Sequence, residues 1–501
     1  MSMKGRPVAD TTAVKFESRM LVDGKLVEGE AGTFTNINPA TEETLGEVSN
    51  ASMADMHRAI DAARQAFDES DWSTNRSFRQ QCLRQLQDAL ESEQEELREE
   101  LILEVGCPRM VTNGPQLDLP LADGLNYPAE LIDTYPWDTD LGEAMSQLTG
   151  QTNTRKVWRE PVGVVGAIVP WNYPFEVTIN KLGQALATGN TVVLKPAPDT
   201  PFNATRIGRL IAERTDIPAG VVNVVPASDH LVGEELTLSP KVDLISFTGS
   251  TTVGMRIMEK GAATMKRLFL ELGGKSAAIV LDDADLAAAS MIAFGVCMHA
   301  GQGCATPTRM LLPRSRYDEG VELLKGIYDT VSVGDPQLPE TLCGPVISAK
   351  QRSRIVGYIE KGIAEGANLL VGGPEAPAGF DKGFYVTPTL FVDVANSMTI
   401  AREEIFGPVL VVIPYDNEED AIRIANDSPY GLAGFVMSSS IDRSVAVARR
   451  LRAGSIGLNG GAAYGADVPF GGYKASGVGR QNGLAGFEQY LEVKSVAWPI
   501  V

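Results

Sequence analysis

The residues with the clearest chemical potential lie in residues 298–309, where the sequence reads MHAGQGCATPTR. Cys304 follows a Gly-Gln-Gly segment, and glycines beside a thiol allow a tight turn and the close approach of other groups. Such surroundings suit an exposed nucleophile, but free cysteine is also among the most frequently buried residue types. This segment alone supports a catalytic thiol and an inert core cysteine about equally.

A carboxylate and an amide occupy unusual positions elsewhere. Glu271 ends the apolar run of FLELGGKS, and it is either part of a structural network or a base whose pKa is raised by burial. Asn172 lies between two prolines in PWNYP, either as a turn residue or as a rigid amide donor for a developing oxyanion. His299, five residues before Cys304, is the nearest candidate for a general base.

The elements that must position these groups are predicted to form an α/β fold. From Lys156 onward, short runs that are apolar throughout alternate with amphipathic helical stretches, a pattern typical of a parallel sheet covered on both faces. Ligands of such sheets bind at the carboxyl ends of the strands. Lys195, Pro226, Thr248 and Gly249 are therefore expected at one edge, and a second series of strands and helices follows.

One strand-to-helix loop, FTGSTTVG at residues 247–254, has the form of a phosphate site. Its Gly249 and Ser250 are expected to present free backbone N–H groups at a positive helix end. The sequence contains no G-x-G-x-x-G, and residues 273–276 (GGKS) are not a phosphate loop because Phe269 occupies the position of the first glycine. No G-x-S-x-G is present either, so nothing supports a serine hydrolase.

Helical periodicity marks the N-terminal part of the chain. A helix with a capping box is predicted over residues 52–67, and one long helix over residues 77–105 that ends at Gly106. Residues 117–134 are predicted to be helical and are followed by a connection. Residues 490–496 are predicted to form a strand that pairs with another subunit.

Composition excludes several classes of protein. The 501 residues suggest two to four domains, and a net charge of −20 argues against nucleic-acid or anionic membrane partners. Five scattered cysteines and three histidines indicate a reducing compartment and no metal site. The longest nearly apolar run, residues 161–171, is too short to span a bilayer. A soluble cytoplasmic protein is expected.

Seven motifs occur along the chain: PWNYP, KPAPDTP, FTGSTTVG, ELGGKS, GQGC, EEIFGPV and PFGGYKASGVGR. Together they resemble those of the NAD(P)-dependent, non-acylating aldehyde dehydrogenase superfamily. The resemblance follows the family's order from Phe34 to Val496, and Glu271 and Cys304 are 33 residues apart, close to the family's usual interval.

The resemblance implies an aldehyde dehydrogenase-like α/β fold with three domains. A Rossmann-like cofactor domain is expected from residues 1–138 and 161–271, and an α/β catalytic domain from residues 272–472. Residues 139–160 and 486–501 are expected to form a small β oligomerisation domain that bridges subunits. A homodimer or homotetramer that acts on a small aldehyde is implied.

The resemblance also assigns chemistry to the candidate residues. The Cys304 thiolate attacks an aldehyde, and the Asn172 side chain and the Cys304 N–H hold the thiohemiacetal oxyanion. After hydride transfer to the nicotinamide, Glu271 activates the water that hydrolyses the thioester. His299 then has no role as a base, because backbone N–H groups, the cofactor cation and Glu271 assist the thiolate.

The cofactor implied by the resemblance is NAD, with NADP not excluded. Pro198, followed by Asp199, occupies the position where many NAD-preferring members have a glutamate that repels a 2′-phosphate. The implied cofactor-binding residues are Lys195 at the adenosine ribose, Gly249 and Ser250 at the pyrophosphate, Trp171 at the cleft wall, Glu404 at the nicotinamide ribose, and Phe406.

The substrate tunnel of the family corresponds here to an apolar and partly aromatic set of residues. Gln481 stands where many members have a glutamate that relays protons. The implied pocket residues are Tyr173, Val177, Gly303, Tyr464 and Phe470.

Three alternatives to a hydrolytic dehydrogenase remain open. A CoA-acylating enzyme of the same fold is disfavoured by Glu271, since such enzymes usually lack that base. A non-catalytic binding protein is disfavoured by the joint presence of Cys304, Glu271, Asn172, Lys195 and Glu404. A cysteine hydrolase without cofactor differs from a dehydrogenase in forming no reduced nicotinamide.

Overall fold

A computed structural model describes residues 14–500. The strands of this part of the chain are β1 (Met20–Val22), β2 (Lys25–Val27), β3 (Thr33–Ile37), β4 (Thr44–Ser49), β5 (Asp138–Met145), β6 (Thr152–Pro161), β7 (Val164–Ile168), β8 (Thr191–Lys195), β9 (Val222–Val224), β10 (Leu244–Thr248), β11 (Arg267–Glu271), β12 (Ala277–Val280), β13 (Arg309–Pro313), β14 (Asn368–Val371), β15 (Thr389–Val392), β16 (Val409–Tyr415), β17 (Ala433–Met437), β18 (Ser455–Leu458), β19 (Gly477–Val478) and β20 (Leu491–Pro499). The α-helices are α1 (Met53–Glu69), α2 (Arg76–Ser92), α3 (Gln94–Val105), α4 (Arg109–Thr112), α5 (Asp118–Asp123), α6 (Asn126–Thr134), α7 (Pro174–Ala187), α8 (Phe202–Arg214), α9 (His230–Leu238), α10 (Thr251–Gly261), α11 (Leu286–Ser290), α12 (Ile292–Cys297), α13 (Tyr317–Tyr328), α14 (Ala349–Ala364), α15 (Thr399–Arg402), α16 (Glu418–Asn426), α17 (Ile441–Ala448) and α18 (Gly483–Glu488).

The first large sheet has the strand order β19-β11-β10-β7-β8-β9-β1-β2. Strands β7 to β11 are parallel, and β1 and β19 pair antiparallel at its two sides. All five residues of β8 are buried, as expected for a strand covered on both faces. Ile168 pairs with Lys195, and Thr248 pairs with Glu271. The predicted parallel sheet and its common edge are therefore confirmed.

A second large sheet has the order β14-β15-β16-β13-β12-β17-β18. All of its pairings are parallel except the one between β14 and β15. Its central strands β12 and β13 consist entirely of buried residues, so this sheet forms its own core. The second predicted α/β series is confirmed.

A third sheet, β20-β6-β5, lies outside the two α/β cores. The predicted strand near the C-terminus is present as β20, which pairs antiparallel with β6 of the same chain over its whole length. Its pairing with another subunit stays a prediction. The connection predicted after residue 134 is in part wrong, because β5 forms there and pairs with β6.

The predicted capping box at Ser52 is confirmed, since its side chain accepts a hydrogen bond from Asp55 N and the Asp55 carboxylate accepts one from Ser52 N.

The prediction of a single helix over residues 77–105 is wrong, because α2 ends before Glu93 and α3 begins after it. The Glu93 carboxylate binds Arg206 and Arg209 of α8. This tertiary contact fixes a break that helical periodicity does not reveal.

The predicted domain limits stay predictions, although each sheet lies almost entirely within one of the proposed segments. The exception is β19, which joins the first sheet from far along the chain and pairs with β11. Between residues 14 and 500, no helix is long and apolar enough to cross a membrane.

Candidate active site

A cavity of about 590 Å³ is lined by segments that adjoin strands of both large sheets. It is lined by the segments that follow β7, β10 and β11 and by those that precede β13 and β16. Most candidate residues from the sequence line it, but Lys195 and the candidate base His299 do not. The lining candidates are Trp171, Asn172, Tyr173, Val177, Gly249, Ser250, Glu271, Gly303, Cys304, Glu404, Phe406, Tyr464 and Phe470.

The backbone before Cys304 has a conformation that L-residues seldom adopt. His299, Ala300 and Gly301 have φ of 50°, 51° and 69°, which costs free energy for the two residues that carry a Cβ. A Cβ at Gly301 would collide with the carbonyl of Gly407. The surrounding structure therefore holds this loop in place.

The glycines of ELGGKS approach the same loop from the other side. A Cβ at Gly274 would collide with the carbonyl oxygen of Cys304. Gly274 N also donates a hydrogen bond to Glu404 Oε1 at 2.8 Å. Three motifs that are distant in sequence, GQGC, ELGGKS and EEIFGPV, thus meet at the backbone of Cys304.

The Cys304 thiol differs from the other four in its surroundings. Cys82, Cys107, Cys297 and Cys343 are buried, whereas Cys304 is partly exposed and lines the cavity. Burial of the sulfur raises the pKa of Cys304, and the nearby carboxylates of Glu271 and Glu404 raise it further. The thiol is therefore neutral before ligands bind.

Asn172 is held rigidly with its side chain directed at the cysteine loop. Its Nδ2 donates a hydrogen bond to Gln302 O at 2.8 Å. Its own carbonyl oxygen accepts a hydrogen bond of 2.6 Å from Gln116 Nε2 and lies 3.0 Å from His299 Nε2. An amide NH₂ has two hydrogens, so one remains to serve a ligand.

His299 supports Asn172 and is not placed as a base for Cys304. Burial lowers the pKa of His299 to about 4, so the ring is neutral at physiological pH. Its Nε2 faces the Asn172 carbonyl, and the ring packs edge-to-face on Tyr173 with centroids 5.5 Å apart. This agrees with the argument from resemblance that another group assists the thiol.

Glu271 ends β11 with its carboxyl group inside the cavity wall and is only 4% exposed. Neither of its oxygens has a hydrogen-bond partner among the described residues. Burial raises the pKa of Glu271 well above its usual value, against the opposing charges of Lys181 and Arg480. An unpaired acid of this kind is free to exchange protons with whatever enters the cavity.

The loop predicted to bind a pyrophosphate begins α10, with Ser250 as its N-cap. The prediction that Gly249 offers a free N–H is wrong, because this group donates to the carbonyl of Glu271 at 3.0 Å. Helix geometry instead leaves the first-turn N–H groups of Thr251 and Thr252, which also line the cavity, for an anion. The residues present fit a dinucleotide at this helix end.

Three further candidates, Trp171, Phe406 and Lys195, were predicted to contact the cofactor. The rings of Trp171 and Phe406 are perpendicular, with centroids 5.3 Å apart. Lys195 lies outside the cavity lining, and its Nζ donates to Pro196 O at 3.0 Å. Burial lowers the pKa of Lys195 to about 8. Its contact with an adenosine ribose stays a prediction.

The remaining end of the cavity is walled by aromatic rings, with Tyr464 and Phe470 edge-to-face at 5.4 Å. The sequence analysis missed one residue here, Glu176, which lines the cavity and is buried. The sequence feature that could have revealed Glu176 is an acidic residue in the apolar stretch that follows PWNYP.

Within residues 14–500, no cluster of three or more His, Cys, Asp or Glu side chains is placed to hold a metal ion.

Comparison with known proteins extends over almost the whole chain. The model of the aldehyde dehydrogenase family matches residues 26–496. A 3-succinoylsemialdehyde-pyridine dehydrogenase from a Pseudomonas species is 42% identical over 485 residues, which cover 95% of this chain and 97% of that relative.

Solved structures agree with that match. A Mycobacterium tuberculosis aldehyde dehydrogenase complexed with NAD+ is 43% identical, with a TM-score of 0.91 over 96% of this chain and 98% of that chain. A mutant of aldehyde dehydrogenase C from Pseudomonas syringae, complexed with NAD+ and octanal, is 38% identical, with a TM-score of 0.90 over 96% of each chain.

Proposed function

The chain belongs to the aldehyde dehydrogenase family, and from this premise we propose that it oxidises an aldehyde to the carboxylic acid through a thioester on Cys304. NAD is the cofactor, as in the solved relatives from M. tuberculosis and P. syringae. The observation that carries the proposal is the presence of Cys304, Asn172 and Glu271 in one cavity.

In the first step the Cys304 thiol releases its proton to the solvent, and its sulfur forms a bond with the aldehyde carbon. The carbonyl electron pair moves to the oxygen, and the second amide hydrogen of Asn172 and the Cys304 N–H stabilise the resulting oxyanion. Because Gln302 O and the clamped Asn172 backbone fix the amide, these donors need little reorganisation when the charge forms.

Oxidation and release follow at the same carbon. Bound NAD supplies the acceptor for the hydride that leaves this carbon, so that a thioester remains on Cys304. A water then attacks the thioester carbon while the carboxylate of Glu271 takes its proton. The carbon–sulfur bond breaks, the acid leaves, and the thiolate is restored.

We propose in addition that the chain forms a homodimer or homotetramer through the third sheet. The edge strand β20 exposes Val493 and Trp498 by 66% and 42%, and unpaired strand edges are suited to pairing with another chain. Light scattering tests this, and a monomer at micromolar concentration contradicts it.

A steady-state assay tests the reaction. The relatives are associated with different aldehydes, a pyridine-bearing semialdehyde and octanal, so short aliphatic, long aliphatic, aromatic and amino aldehydes are compared with NAD and with NADP. We expect reduced nicotinamide, measured by its absorbance, and the carboxylic acid in equal amounts without added CoA. A requirement for CoA indicates an acylating enzyme, and ester or amide hydrolysis without nicotinamide reduction indicates a hydrolase.

A further inference from the structure

Glu176 is a buried carboxyl group that the proposed reaction does not use. It lies in the first turn of α7 and is 7% exposed. Other residues that line the same cavity, Tyr173, Val177 and Phe470, are apolar or aromatic. A carboxyl group in such a wall is costly unless it has partners, and its presence suggests a specific ligand contact.

The protein fixes one oxygen of this carboxyl group. Glu176 Oε1 accepts hydrogen bonds from the hydroxyl of Tyr464 and from Asn180 Nδ2. In the part of the chain that the structure describes, Oε2 has no such donor, although it is not sealed from the cavity. The carboxyl group is therefore held in one orientation with an oxygen left over.

Among residues 14–500, no cation that lines the cavity is available to this oxygen. The cations of the cavity's described lining are Lys350 and Arg354 of α14, and Arg354 donates to the carbonyl of Glu404. Lys181 lies on the same helix as Glu176, but its Nζ donates to Ser246 Oγ at 2.9 Å. Burial raises the pKa of Glu176 to about 8, against the opposing charge of Lys181 and the hydrogen bond from Asn180. This acid can give its proton to an amine and become the amine's counter-ion.

We propose that Glu176 selects aldehydes that carry a basic nitrogen at the end remote from the reacting carbonyl. Oε2 accepts the N–H of the substrate ammonium group, while Tyr464 and Phe470 offer aromatic surface that favours a cation. This inference rests on the proposed dehydrogenase activity and adds the substrate class.

The test compares two aldehydes of equal size, 3-aminopropanal and butanal, which differ in an ammonium and a methyl group. The readout is the ratio of their kcat/KM values in the wild type, in Glu176→Gln and in Glu176→Leu. We expect the wild type to favour the amine by at least about tenfold, because a site built for a polar group discriminates against analogues that lack it. The ratio should fall in Glu176→Gln and invert in Glu176→Leu.

Glu322→Gln serves as the matched control, since Glu322 is exposed on α13 and outside the cavity. It should keep the wild-type ratio. A wild type without preference, or an equal loss of both activities in Glu176→Gln, overturns the proposal, since the second result means that the residue only supports the fold. If Glu176→Leu does not fold, Glu176→Gln decides.

A second measurement does not depend on turnover. The rate at which iodoacetamide alkylates Cys304 is measured in the presence of 3-amino-1-propanol or of 1-butanol. Amine recognition is supported if 3-amino-1-propanol protects Cys304 at a concentration about tenfold lower than 1-butanol does, and if Glu176→Gln loses this difference. Equal protection by the two alcohols contradicts it. If neither aldehyde is oxidised but the protection differs, the dehydrogenase proposal fails while the recognition site stands.

Discussion

Two buried glutamates in one cavity have opposite hydrogen-bonding situations. Glu271, at the end of β11, has no partner for either oxygen among residues 14–500, whereas Glu176, in the first turn of α7, has one oxygen fixed by Tyr464 and Asn180. Burial raises the pKa of both. A free carboxyl group can move protons as the reaction proceeds, and a fixed one can only recognise a group that fits it. Orientation, more than burial, separates the two proposed roles.

The largest expected effect comes from removing the thiol that both glutamates face. Cys304→Ser should lower kcat/KM by a factor of about 10³ or more, because a serine hydroxyl without an adjacent base is a far weaker nucleophile. Reduced nicotinamide formation measures this, and an unchanged thermal melting curve shows that the fold is intact. Substantial turnover in this variant contradicts the assignment of the nucleophile.

The oxyanion contact should rank next. Asn172→Ala should lower kcat by about 10²- to 10³-fold, the usual loss for one oxyanion donor, with a smaller change in KM. Asn172→Asp is the isosteric control and should lose at least as much, since a carboxylate repels the developing charge. If the loss appears in KM alone, Asn172 shapes binding and not the transition state.

The first direct comparison of the two glutamates concerns the step that each affects. Glu271→Gln should leave a burst of reduced nicotinamide of one equivalent per site and slow the following steady state by about 10²-fold, because hydrolysis of the thioester loses its base. Rapid mixing separates the two phases. Glu176→Gln should show no such burst. A burst in both variants, or in neither, removes the distinction between a proton acceptor and a recognition group.

The smallest effect is a shift in the titration of Cys304. Its pKa is raised above the usual value, so the thiolate fraction and the alkylation rate should increase as the pH rises through and beyond neutrality. The charge of Glu271 raises this pKa more than that of Glu176. Glu271→Gln should therefore move the alkylation curve to lower pH, and Glu176→Gln should move it less. The reverse order means that Glu176 lies closer to the sulfur in solution.

Local patterns predicted the parts of the fold that depend on neighbouring residues. The parallel sheets follow from runs of buried apolar residues, and the capping box at Ser52 requires only a side chain and the helix that it begins. The break at Glu93 was not predictable in this way, because its partners Arg206 and Arg209 are more than a hundred residues distant. The hydrogen bond of the Gly249 N–H was not predictable either, because its acceptor, the Glu271 carbonyl, lies on the neighbouring strand β11.

The sequence by itself determined the family and its motifs, since the types and order of residues around Cys304, Glu271 and Asn172 are carried by short segments. Only the tertiary structure decided how these segments meet. Gly274 and Gly301 pack so closely against the backbone of other segments that the Cβ of any other residue would collide with it. It also decided that Glu176 enters the cavity while Lys195 does not. A carboxyl group in an apolar stretch can be surface or core, and its role depends on which distant side chains, here Tyr464, reach its oxygens.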